Sequence, residues 1–143
     1  MRTTAAILLA TIFLMISLLH FYWVLGGKWG LDSAMPDAMR NHVMTDSRRL
    51  GFIFVTLIVA LGLLSVSCLY LILGGFIESP LPAVYTRYAS YAVIGIFILR
   101  AIGDFKYCGF FKRVKEGAFA RNDTKYFSPL CLLIALLALV VVL

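Results

Sequence analysis

Charge is what this chain has least of. Asp, Glu, Lys and Arg make up 14% of its 143 residues, against 62% hydrophobic ones, whereas a soluble domain carries roughly 25% charged residues. A soluble domain of this length has no interior for so much apolar surface, and lipid is the solvent that fits. Acidic side chains are scarcest, seven against thirteen Lys and Arg. None lies deep in an apolar run, which speaks against a proton-coupled pump. Cysteine is sparse too. Cys68, Cys108 and Cys131 include no C-x-x-C pair, so thiol exchange between neighbouring sulfurs is excluded. Cys68 and Cys131 read as small buried hydrophobes. Cys108 sits in a basic, aromatic stretch where a more reactive thiol is conceivable. There is no glycine-rich phosphate loop and no H-E-x-x-H. The two histidines, without acidic neighbours, make no metal site, and no cofactor is implied.

What the chain does have is long apolar runs. A bilayer core of about 30 Å needs about 20 apolar residues in a helix. The first candidate is 5–25, closed by Phe21, Tyr22 and Trp23 as interfacial aromatics. It reads as a retained helix, because a signal peptide would be shorter and end at a small-residue cleavage site. The second, 51–73, contains no charge and ends at Gly74-Gly75. The third has an uncharged part, 88–99, of only 12 residues, about 18 Å of helix. It must therefore take in Arg87, Arg100 or both, and the span reads as 82–104 with Pro82 in its first turn. The fourth is 126–143, with Ser128 as cap and Pro129 at the first helical position. The expected fold is a single all-α domain over 1–143, an integral membrane bundle of four transmembrane helices.

The net charge of +6 is concentrated between the apolar blocks, which fits topology signals and anionic lipid better than nucleic acid. Lys28, Arg40, Arg48 and Arg49 lie in the first connection. Arg100, Lys106, Lys112, Arg113, Lys115, Arg121 and Lys125 lie in the third, while the opposite side holds only Arg2 and Arg87. Loops 26–50 and 104–126 are therefore expected in the cytoplasm and both termini outside. The glycosylation pattern Asn122-Asp123-Thr124 would then be idle.

This topology gathers polar groups at one end. Arg100 and Asp104 are four residues apart on one helix face. They are an intrahelical ion pair, an arginine reaching for headgroups, or an interior site in which Arg100 holds an anion and Asp104 orients it. His20, the only histidine inside a span, is a proton carrier or a hydrogen-bond partner to another helix. Asp123 or Thr124 would cap a short interfacial helix, and Arg121 would meet phosphate. Ser128, Arg48 and Arg49 fall at the same level, so a shared vestibule is expected. The candidate ligand-binding set is His20, Trp23, Arg100, Asp104, Tyr107, Arg121 and Asp123. The matching ends of the two hairpins, "HFYWVLGGKWG" and "DFKYCGFFKRV", hint at a parallel duplication.

The stretches "HFYWVLGGKWGLDSAMP" (20–36) and "LRAIGDFKYCGFFKRVKEGAFARNDTKYFSPLCLLIA" (99–135) resemble a bacterial family of small four-span membrane proteins, catalogued as domain of unknown function 3995. The resemblance covers nearly the whole chain except "RNHVMTDSRR" and the second loop, which match no pattern. It implies a bacterial inner-membrane protein with four helices, and no activity. The best expectation for function is binding of a small amphipathic or anionic ligand, lipid or quinone-like, at the cytoplasmic end. Alternatives are a membrane enzyme acting on a lipid-like substrate, a small dimeric transporter, or an accessory subunit of a membrane complex. Membrane lipids are the expected partners, homo-oligomerisation is open, and no catalytic residue can be named.

Overall fold

A computed structural model describes residues 1–36, 40 and 46–143, the side chains of 46–48 excepted. Its described residues form helices and no strand: α1 (Arg2–Val24), α2 (Leu31–Ala34), α3 (Asp46–Leu73), α4 (Ala83–Ile102), α5 (Ala118–Asn122), a π-helical turn (Asp123–Phe127) and α6 (Ser128–Val142). Three stretches are long and apolar enough to cross a membrane: Arg2–Val24, Arg49–Leu73 and the continuous helical run Ala118–Val142. α4 is not among them, because it carries both Arg87 and Arg100. The helix expected to include one or both arginines includes both. Pro82 stands just before its first residue, at the cap.

The helices are joined by small residues and hydroxyls. α1 lies antiparallel along α3. Ala6, Ala10 and Ser17 on one side, with Ala60 and Ser67 on the other, are buried along the pair. In hydrocarbon, helices this apolar would have no hydrophobic reason to associate, and small side chains that let backbones approach, with hydroxyls that bond across, would supply the attachment. Two such bonds are reciprocal: Ser17 Oγ donates to the Ala60 carbonyl and Ser67 Oγ to the Ala10 carbonyl, each at 2.8 Å. α4 pairs with α6, and α6 also packs on α1. The shared core holds Leu9, Phe13, Tyr70, Val93, Ile134 and Val141. Phe13 stacks on Tyr70, whose hydroxyl shares a hydrogen bond with Ser90 (3.1 Å) and so ties α3 to α4.

The last helix begins earlier than expected. The sequence reads as a helix starting at Ser128-Pro129, but helical backbone runs from Ala118 onward. Pro129 has no N–H and its ring presses on the carbonyl one turn back. The wide turn at Asp123–Phe127 absorbs that conflict, so the helix continues through the proline instead of starting at it.

Candidate functional site

At the end of α4 the chain doubles back through 103–117 before entering α5. Gly103 (φ 94°) and Gly109 (φ 85°) make this possible. A Cβ on Gly103 would overlap the Cys108 carbonyl, and one on Gly109 would overlap the Ile102 carbonyl. Between them Asp104 holds the turn. Its Oδ1 accepts the amides of Lys106 (2.9 Å), Tyr107 (2.7 Å) and Cys108 (2.8 Å). The Cys108 amide above all, with those of Lys106 and Tyr107, keeps the Asp104 carboxyl below the usual carboxylate range. Phe110 N–H then donates to the Ala101 carbonyl (2.9 Å), and Val114 N–H to the Lys106 carbonyl (3.0 Å).

The loop is anchored on a buried carboxylate. Asp123, in the π-turn, is fully buried. Its Oδ1 accepts Arg100 Nη2 (2.9 Å). Its Oδ2 accepts Lys112 Nζ (2.9 Å), the Gly109 amide (2.8 Å) and, more weakly, Ser128 Oγ (3.3 Å). Lys112, itself buried, also donates to the Gly109 carbonyl (3.2 Å) and to Thr124 Oγ1. Two cations thus share one carboxylate, leaving the cluster at +1. Arg100 Nη1 is buried without a hydrogen-bond partner. An unmade bond on a buried charged donor is costly, so this nitrogen marks where an acceptor is wanted.

Several candidates are placed differently from the sequence expectation. Arg100 does not pair with Asp104 on its own helix; it reaches Asp123, 23 residues on. Asp104 is occupied by backbone amides, a task its carboxylate performs better than an exposed ion pair would. Asp123 does not open a short helix as its cap: it lies inside the continuous helical run Ala118–Val142, with its carboxylate taken by Arg100, Lys112 and the Gly109 amide. His20 Nδ1–H donates to the Ile16 carbonyl of its own helix (2.8 Å), and its ring packs edge-on to Trp23 at 4.9 Å. Trp23 is buried, its Nε1 donating to the Trp29 carbonyl (3.0 Å), which folds the first connection back over α1. Neither residue contacts the Asp123 cluster through a hydrogen bond. Of the expected vestibule, Arg100, Asp123 and Ser128 come together. Arg121 and Arg49 are exposed, and the Arg48 side chain lies outside the described residues.

Sequence reasoning missed Lys112. In the sequence it is one of several cations in a row; only the double-back at Gly103 and Gly109 turns it inward. Burial pushes the Cys108 thiol up, against the pull of Arg100 and Lys112, so this thiol is less reactive than its basic surroundings suggest. Tyr107 lines a cavity of about 100 Å³ with Pro36, Val114, Glu116, Gly117 and Phe119. α2 packs on α5 nearby, so the two basic connections meet at one end of the molecule. Around that end Lys106, Arg113, Lys115, Arg121 and Lys125 are exposed, as are Phe105, Phe110, Phe111 and Tyr126. No group of residues suited to a metal occurs among the described residues.

These features define an all-helical protein whose apolar helices are consistent with a multi-pass membrane protein, carrying a buried ionic cluster at its basic end. The chain belongs to the family described as Protein of unknown function (DUF3995), whose model matches residues 13–138. No curated protein and no solved structure matches it.

Proposed function

We propose that the chain is a four-span protein of the bacterial inner membrane, and that its basic end receives the anionic headgroup of a lipid-like or quinone-like amphiphile. α4 is the additional crossing. Its 20 residues amount to about 30 Å of helix, with Arg87 near one end and Arg100, paired with Asp123, near the other. Loops 26–50 and 104–126 face the cytoplasm and the termini lie outside, following the excess of Lys and Arg in those loops.

The observation that carries the binding reading is the cation excess in the Arg100–Asp123–Lys112 cluster, with Arg100 Nη1 lacking an acceptor. A headgroup oxygen supplies the missing acceptor and the missing charge. Exposed Arg121 and half-buried Tyr107 stand outside the cluster as further contacts. Asp104 and Asp123 hold the loop and the guanidinium in place. His20 and Trp23 belong to the same reading at the end of α1, where the imidazole and indole would flank the tail.

A second reading rests on the complete enclosure of Asp123. In it the cluster only locks the loop, and the protein serves as an accessory subunit. Mass spectrometry of molecules retained in mild detergent separates the two. Arg100→Gln keeps a donor for Asp123 but removes the spare cation. Loss of a co-purifying anionic amphiphile from Arg100→Gln, with His20→Gln as the comparison and helical circular dichroism preserved, supports binding. Equal retention by Arg100→Gln and the wild type overturns it in favour of the lock.

A further inference from the structure

The site at the basic end uses only the inner face of the 103–117 loop. Lys112 and the Gly109 amide turn toward Asp123, but three phenylalanines of the same stretch do not turn in. Phe105, Phe110 and Phe111 are 58%, 44% and 64% exposed. Phe105 stands at φ 59°, left-handed backbone that a bulky residue rarely adopts, and the Asp104 carboxylate holds that turn through the next three amides. The loop's anchors also set its depth. Gly109 N–H reaches Asp123 (2.8 Å), inside the run Ala118–Val142, and Phe110 N–H reaches the Ala101 carbonyl (2.9 Å), next to the last residue of α4. Phe110 and Phe111 are therefore pinned level with the helix ends instead of standing off in solvent. Lys106, Arg113 and Lys115 flank these rings along the loop and are exposed, as are Arg121 and Lys125. None of the five forms an ion pair among the described residues. The exposed acids of the loop are Asp104, whose Oδ1 is taken by amides, and Glu116.

We infer that the outer face of this loop is a docking surface for an anionic bilayer leaflet, with Phe105, Phe110 and Phe111 in the headgroup–acyl boundary and Lys106, Arg113 and Lys115 on lipid phosphates. Rings held at the level of the helix ends fit that boundary, where aromatic side chains gather. The unpaired cations beside them fit anionic headgroups. An acidic protein would answer the cations alone; the depth of the rings favours lipid. The inference rests on the four-span reading, which puts the end of α4 and the start of the last helical run at the membrane surface. It depends neither on which side of the membrane the loop faces nor on a ligand at Arg100, whose bonds lie on the inner face.

The test uses the protein in nanodiscs of mixed phosphatidylcholine and phosphatidylglycerol, in which one lipid or the other carries bromine near the top of its acyl chains. Bromine quenches an indole only at contact. Phe111→Trp in a Trp29→Phe background leaves buried Trp23 as the one other indole. The indole introduced at position 111 should be quenched by both brominated lipids. Phosphatidylglycerol should be favoured about fivefold, the factor that roughly 1 kcal/mol for a single basic side chain gives at an anionic surface. Lys106→Gln, Arg113→Gln and Lys115→Gln together should remove the preference and keep the quenching, with helical circular dichroism unchanged. If Phe111→Trp does not fold, Phe110→Trp takes its place. An introduced indole that neither lipid quenches overturns the inference, and blue-shifted emission in that case would show the face covered by protein. Equal quenching by the two lipids overturns the anionic partner. The co-purification test with Arg100→Gln reads the inner face alone, so failure of that ligand leaves the docking surface standing, and failure here leaves the ligand standing. Reporter fusions that put the loop outside would end the orientation and not the docking.

Discussion

Replacing Asp123 with Asn keeps the shape of the side chain and removes its charge. The structure sets the size of the effect. Asp123 is fully buried and accepts four donors, two of them cationic. Lys112 is only 3% exposed in its side chain, so after the change its ammonium cannot find water without opening the loop. Breaking a buried ion pair from one side costs about 3–5 kcal/mol. An amide oxygen still accepts one or two of the donors, so the lower end, about 3 kcal/mol, is expected. At 2–4 °C per kcal/mol for a chain near this size, the melting temperature should fall by roughly 10 °C. Lys112→Met is milder: Asp123 keeps Arg100 and the Gly109 amide, and losing one charged hydrogen bond costs about 1.5–2 kcal/mol. The double variant should lie near the Asp123→Asn value, because removing Lys112 also removes the stranded charge. Thermal unfolding in mild detergent, followed by circular dichroism, measures all three. Costs that add to within about 0.5 kcal/mol would show that the two residues do not act as a unit, and the lock would be refuted.

Gly103→Ala and Gly109→Ala should each prevent the loop from closing, since the added methyl meets a carbonyl and the backbone is left-handed; membrane accumulation well below wild type is the readout. Ser17→Ala and Ser67→Ala should each cost about 0.6 kcal/mol, the average for hydrogen bonds between membrane helices, in a denaturation series by sodium dodecyl sulfate. Because the Asp104 carboxyl is held low in the folded loop, its stabilising effect is fully present above the ordinary carboxylate pKa of about 4 and is lost as pH falls through the lower folded value. Amide exchange at Lys106, Tyr107 and Cys108 should rise over intrinsic rates in that acid window, and in Asp104→Ala should be raised at every pH. Reporter fusions in the 104–126 connection should be active only as cytoplasmic reporters; periplasmic activity there would end the proposed orientation.

The apolar runs were legible because helix length and hydropathy are properties of contiguous residues. The spans read at 5–25 and 51–73 fall on Arg2–Val24 and Asp46–Leu73. The limits of the last helix were not legible. Ser128-Pro129 carries a local start signal, and only the tertiary demand on Asp123, which must face the loop, keeps the helix running through it. The same holds for the site. Arg100 stood out because a charge inside an apolar run is visible in one dimension. Its partner was misread, since the nearest carboxylate along the helix, Asp104, is claimed by three amides of a turn that two glycines create. Lys112 could not be picked from its basic neighbours without that turn.

On the proposed four-span reading, the clasp between Arg100 and Asp123 would also bear on how the chain enters the bilayer. α4, with an arginine near each end, is the least apolar of the long helices, and an uncovered guanidinium makes it a poor candidate for insertion alone. The carboxylate that covers it arrives on the next helix. On that reading α4 and α6 would gain by leaving the translocon as a couple, whereas α1 and α3, joined by serine hydroxyls and no charge, would have no such dependence.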